Sequence, residues 1–268
     1  MKQSLTRIGG ILTRYLYLHT RSLPRCLEIF FWPVMELLVW GFVSVYFQSL
    51  LNNPSAKIAA VLISAMIFWD ILYRSQQAVS IAIVEDIWTQ NIVNILVSPL
   101  RLWEWLAATF IYGFFKISLI TLILSAIALG LYRFNLFNNL GFLMIPLMAN
   151  LLFFGFALGV FTSALVIRWG HSAEALVWGI PYLVQPISAI YYPVSVLPVP
   201  LQWISKMLPS TYVFEGMRAV AETGNLPWSY FAAGLGLNLI YFILAGFFFH
   251  GMYRAARTTG RLGHLGMD

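Results

Sequence analysis

The sequence predicts an all-α integral membrane protein, on three observations: 60% of its 268 residues are hydrophobic, only 10% are charged, and long apolar runs recur along it between short polar links. A soluble domain carries roughly a quarter of charged residues, and a mean hydropathy of +0.79 lies far from that regime. The net charge of +6 would suggest nucleic acid in a soluble chain. Here the basic residues sit beside the apolar runs, where they anchor and orient helices, so nucleic acid is excluded as a partner. Cys26 is the only cysteine, which excludes an intrachain disulfide and a cysteine-based metal site.

Residues 1–26 form the first unit. Leu5, Ile8, Leu12 and Tyr15 recur at three- and four-residue steps, while Arg7, Arg14 and Arg21 repeat every seventh residue on another face. This is the pattern of an amphipathic helix lying in the cytosolic membrane interface with a basic side. Pro24 ends or bends it. The basic segment is too long for the n-region of a cleaved signal peptide and no small-residue cleavage site follows, so the amino terminus is expected to remain on the mature protein.

Residues 27–268 contain six runs long enough to cross about 30 Å of hydrocarbon at about 1.5 Å per residue. They are Leu27–Leu51, Ile58–Val84, Trp105–Tyr132, Leu140–Ile167, Ala175–Tyr192 and Trp228–Tyr253. With the amino terminus inside, Lys2, Arg7, Arg14, Arg21, Arg25, Arg101, Arg168, Arg254, Arg257 and Arg261 are cytosolic, against Lys57, Arg133, Lys206 and Arg218 outside. The excess of inner Lys and Arg orients both termini to the cytosol.

Two links have room for function. In the inner link, residues 85–104, Ile87, Ile92, Ile95 and Leu96 form an apolar stripe with Thr89, Gln90, Asn91 and Asn94 between, so a short helix can lie across the membrane face before Ser98-Pro99 turns the chain. Such a helix can dock in a partner's groove, or simply connect two spans. The outer link, residues 193–227, follows Tyr191 and Tyr192 with Pro193, Pro198, Pro200 and Pro209, which forbid a continuous spanning helix. Leu201–Leu208 and Tyr212–Val220 can form two short helices around Pro209-Ser210-Thr211. The hairpin either re-enters the membrane or lies on the headgroups, since irregular backbone at membrane depth needs protein or cavity water around it.

Glu36, Asp70, Arg74 and Lys116 fall inside the predicted spans, sum to zero charge, and include one pair, Asp70 and Arg74, spaced four apart on one helix face. Intramembrane charges are costly; these four are read as either a neutralising structural network or a substrate or gating site. A membrane-embedded enzyme needs converging catalytic groups, yet His19, His171, His250 and His264 lie at or beyond the cytosolic ends and no HExxH or Gly-x-Ser-x-Gly occurs. A purely structural assembly subunit would leave the transverse helix and the broken hairpin without a purpose.

The order of Pro193, Leu197-Pro198, Trp203, Leu208-Pro209, Tyr212 and Glu215 to Arg218, with the Leu-x-Ser-Pro-Leu of Leu96 to Leu100, resembles the membrane subunit of an ABC transporter of the ABC-2 type, over nearly the whole chain. One departure is Gln90-Asn91-Ile92-Val93-Asn94, where many relatives carry Gly-Thr-Leu-Glu. The resemblance implies an exporter of drugs, lipids or lipid-linked polysaccharide, built from two membrane subunits (a second copy or a related permease) and two ATPase subunits in a bacterial plasma or inner membrane. It implies a coupling segment with Glu85, Asp86, Gln90, Ile92, Ile95, Ser98 and Pro99, and an external gate with Pro198, Trp203, Pro209, Tyr212, Glu215 and Arg218. No GxxxxGK[ST] loop occurs in the sequence, so ATP and Mg are expected to be used by the partner subunit and no cofactor by this chain. The abundant aromatic residues favour an amphipathic or lipid-like cargo; a lipid-linked glycan stays open.

Overall fold

A computed structural model describes residues 2–50 and 56–258, which are helical almost throughout, with no strand among them. The helices are α1 (Lys2–Thr20), α2 (Leu23–Leu50), α3 (Ala56–Trp88), α4 (Ile92–Val97), α5 (Leu102–Tyr132), α6 (Leu136–Leu140), α7 (Met144–Trp169), α8 (Glu174–Ile187), α9 (Val199–Lys206), α10 (Pro209–Thr223) and α11 (Trp228–Thr258). The predicted end of the first run at Leu51, and the tail residues Arg261 and His264, lie outside the described residues.

Among the described residues, four stretches are long and apolar enough to cross a membrane: Leu23–Phe47, Leu102–Tyr132, Leu136–Ile187 and Trp228–Thr258. The other two predicted runs differ in instructive ways. The second becomes α3, whose 33 residues are ample in length, but Asp70, Arg74, Gln76 and Gln77 interrupt its apolar character. The fifth, predicted as Ala175–Tyr192, yields only the 14 residues of α8, interrupted by Pro181 and Pro186. Fourteen residues rise about 21 Å, short of the roughly 30 Å hydrocarbon core. Pro186 has no N–H to continue the ladder, and the chain leaves the helix at Ser188 and enters a left-handed conformation at Ala189, φ 53°.

The core is built on α3 and α7, which share the most extensive packing and are flanked by α2, α5, α10 and α11. Ala65, Met66, Ile67, Phe68 and Leu72 are fully buried, as expected of a helix apolar on every face. The outer helices turn apolar faces outward, among them Phe115, Leu119 and Leu122 of α5 and Leu239, Ile243 and Phe247 of α11. Lipid is the solvent for such a surface.

The close approach of α3 and α7 rests on Gly155 and Gly159. A Cβ on Gly155 would strike Ser75 Oγ and lie 2.5 Å from the Leu72 carbonyl, and one on Gly159 would lie 2.8 Å from the Gln76 carbonyl. Small residues four apart allow backbones to meet. One turn further, Gln76 Nε2 donates to Thr162 Oγ1 at 3.0 Å and to the Val177 carbonyl at 3.1 Å, while the Ser80 and Thr162 hydroxyls lie 2.5 Å apart. These bonds tie α3, α7 and α8 through buried side chains.

Candidate functional site

Three clusters hold the predicted site residues, beginning at the α4 end of the bundle. Asp86, fully buried near the end of α3, pairs with Arg14 of α1. Glu104, fully buried in the first turn of α5, accepts from the Arg101 backbone N–H at 2.9 Å and pairs with Arg7 at 3.3 Å. Between these bridges Trp105 Nε1 donates to the buried Tyr15 hydroxyl at 3.0 Å. Burial first, and Asp86 second, push the Tyr15 phenol well above its ordinary value, so it remains a neutral hydrogen-bonding group. The heptad-spaced arginines expected to form a free basic side are therefore divided: Arg7 and Arg14 turn inward to carboxylates, and Arg21 lies over the Tyr17 ring, 4.7 Å from its centroid. Buried carboxylates demand paired cations, and periodicity alone does not reveal where those carboxylates stand.

The short helix expected in the inner link forms as α4, but Ile92 and Ile95 of its stripe do not face outward. Ile92 and Ile95 are buried, and Ile92 packs with Val79, Ile83, Ile87 and Trp105. The expected apolar docking surface is thus the chain's own core, because a six-residue helix held between α3 and α5 has only that core against which to bury its stripe. Thr89, Gln90, Asn94 and Val97 are exposed instead. Glu85 is half-buried and still within α3, Gln90 takes a left-handed φ of 53°, and Ser98 caps α4 by donating to the Ile95 carbonyl at 2.6 Å. Pro99 is exposed. Ile92→Asp is accordingly expected to destabilise the protein itself by about 3–5 kcal/mol through a buried unpaired charge, seen as a lower thermal midpoint in detergent.

Midway along the bundle, Arg74 Nε donates to Asp70 Oδ1 at 3.0 Å, with Asp70 2% exposed. Lys116 and Glu36 are half-buried and within electrostatic reach of this pair. Around them stand Trp69, Tyr73 and Tyr182, with Tyr73 and Tyr182 ring centroids 5.6 Å apart, and a stacked Trp40–Tyr191 pair at 4.2 Å. The four predicted charges share one neighbourhood across α2, α3 and α5.

At the opposite end, the Pro-broken hairpin forms α9 and α10 around Pro209, which occupies the first turn of α10 where a missing N–H costs nothing. Arg218 Nη1 donates to the Ile190 carbonyl at 3.0 Å, left over where α8 ends, and pairs with Glu215 at 3.1 Å. Glu215 in turn accepts from the Val194 N–H at 2.8 Å. Ser188 and Ser210 hydroxyls meet at 2.7 Å, and Tyr212 donates to the Lys206 carbonyl at 2.9 Å. The irregular backbone is thereby satisfied by protein. Pro198 is an exposed residue preceding α9. Trp203, one of the implied gate residues, is 68% exposed, with Lys206 Nζ 5.4 Å from its ring centroid. With Cys26 replaced by Ser, single cysteines at Trp203 and Met207 are expected to react with a soluble thiol reagent roughly ten-fold or more faster than those at the buried Ser205 and Ser210. Equal rates at all four would contradict the hairpin packing.

Sequence reasoning missed Glu104, the Gln76–Ser80–Thr162 bonds and the buried Asn150–Asn238 contact between α7 and α11. Gly155 and Gly159 carried a readable signal, a G-x-x-x-G spacing within an apolar run.

No curated protein matches the chain. A family model described as the ABC-2 type transporter matches residues 20–221, from the last turn of α1 to within α10. An all-helical bundle with long apolar helices, a short α4 and a Pro-broken α9–α10 hairpin accords with that match, and the chain belongs to the ABC-2 type transporter family, as a membrane subunit.

Proposed function

We propose that the chain is the membrane subunit of an ATP-driven exporter that moves an amphipathic or lipid-like substrate out of the cytoplasm, working with a separate ATPase subunit and a second permease copy in the plasma membrane. In this reading α3 supplies the second of six passes, the short α8 supplies the fifth once completed by the re-entrant α9–α10 hairpin, α1 and α4 lie on the cytosolic face, and that hairpin forms the outer gate. The observation that supports it most is the α4 end itself. A short helix is pinned to the bundle by its buried Ile92 and stands between two ion pairs whose carboxylates are buried, so a push on its exposed face is delivered into α3 and α5 rather than absorbed by a loop.

The sequence holds no phosphate-cradling loop, so the purified chain is expected to hydrolyse no ATP, and a co-purified ATPase to carry all turnover. Nucleotide turnover by the chain alone contradicts the assignment. Coupling is tested on the outward side of α4. Val97, 82% exposed, changed to Asp should leave the thermal midpoint unchanged while weakening co-purification of the ATPase by roughly ten-fold, the scale of one well-placed apolar contact. Unaltered binding and transport would remove α4 from the docking surface.

A further inference from the structure

The elbow between α1 and α2 forms an open groove of about 610 Å³ lined by Arg14, Tyr17, Leu18, Arg21, Ser22 and Arg25. Three of its six lining residues are arginines, and only one has an acidic partner: Arg14 pairs with Asp86. A second nitrogen of the same guanidinium, Nη1, is buried with no hydrogen-bond partner. Arg21 and Arg25 make no ion pair among the described residues. The groove therefore presents two guanidiniums without an ion-pair partner and a third that is incompletely satisfied. From its rim, the side of α2 that carries Arg25 presents an apolar stripe of Trp32, Met35 and Val39, all exposed. Val39 stands fourteen residues beyond Arg25, a rise of about 21 Å into a hydrocarbon core of roughly 30 Å.

We propose that this elbow is a binding site for an anionic membrane phospholipid, its phosphate held by Arg21 and Arg25 with Ser22, and its acyl chains laid along the Trp32, Met35 and Val39 stripe of α2. A phosphodiester suits the site because guanidinium pairs bind its oxygens through charge-assisted hydrogen bonds. Basic pockets beside membrane helices recruit acidic headgroups in this manner. The stripe distinguishes a lipid from a free anion, since inorganic phosphate has no use for it. The site depends on α1 and α2 alone and stands apart from the direction of transport and the identity of the cargo.

The test is native mass spectrometry of the full chain, delipidated in detergent and offered phosphatidylglycerol or phosphatidylcholine with identical chains. The wild type is expected to retain phosphatidylglycerol about ten-fold better. Arg21→Gln with Arg25→Gln should cut that preference to below about two-fold, while Arg21→Lys with Arg25→Lys should keep most of it. Equal retention of the two lipids by the wild type, a comparison that needs no variant, overturns the proposal. So does an undiminished preference in the Gln pair. Displacement of the phospholipid by millimolar inorganic phosphate would show a free-anion site, and a lipid-free dimer that excludes phosphatidylglycerol would show the elbow covered by a second copy. Either result also overturns it.

Discussion

Asp70→Ala is expected to lower stability by about 3–5 kcal/mol, whereas Asp70→Ala combined with Arg74→Met should lower it by much less. Asp70 is 2% exposed and the Arg74 side chain 14% exposed, so the single change strands a cation in a region with little water to receive it. Lys116 adds to the penalty, because it lies within electrostatic reach of Asp70 and Arg74 and would then face an uncompensated positive neighbour. The double change removes both desolvation costs together with the Coulombic gain that repaid them. Thermal midpoints and the monodisperse fraction in detergent read the difference. If the two single losses simply add, Asp70 and Arg74 are independent and the shared neighbourhood with Glu36 and Lys116 has no energetic meaning.

The elements most legible in the sequence were those fixed by local chemistry. Pro209 marked the break between α9 and α10 because a residue without an N–H fits the first helical turn without cost and a later one only at the loss of a backbone hydrogen bond. The four-residue spacing of Asp70 and Arg74 gave their pairing directly. What stayed hidden concerns the partner of each face. The Ile92 and Ile95 stripe was visible, but a stripe states only that something covers it, and the chain's own Val79, Ile83 and Trp105 cover Ile92. The same limit applies to Arg7 and Arg14: the heptad spacing revealed a basic face, while Glu104 and Asp86, many residues away, decided that it turns inward. The family match begins at residue 20, so these arginines lie outside it and only the folded chain shows their use. The length of α8 was overestimated because hydropathy does not register Pro186 or the Arg218 guanidinium that takes over the Ile190 carbonyl.

Gly155→Ala is expected to be the most damaging single-methyl addition among these helices, at about 1–3 kcal/mol or somewhat more. Ala is the better helix former by roughly 1 kcal/mol, so the sign depends wholly on what the new methyl meets. At Gly155 it meets Ser75 Oγ, which could rotate away, and the Leu72 carbonyl at 2.5 Å, which belongs to the α3 backbone and cannot. The two helices must separate, and the bonds of Gln76 and Ser80 to Thr162, one to two turns along, are stretched with them. Gly246 supplies the control, since nothing lies within 4 Å of a Cβ built there, and Gly246→Ala on α11 should be neutral or stabilising by up to about 1 kcal/mol. Adding Ser75→Ala to Gly155→Ala should recover only part of the loss, because the Leu72 carbonyl remains. Equal thermal midpoints for Gly155→Ala and Gly246→Ala would mean that α3 and α7 do not meet backbone to backbone, and the central packing of the bundle would have to be redrawn.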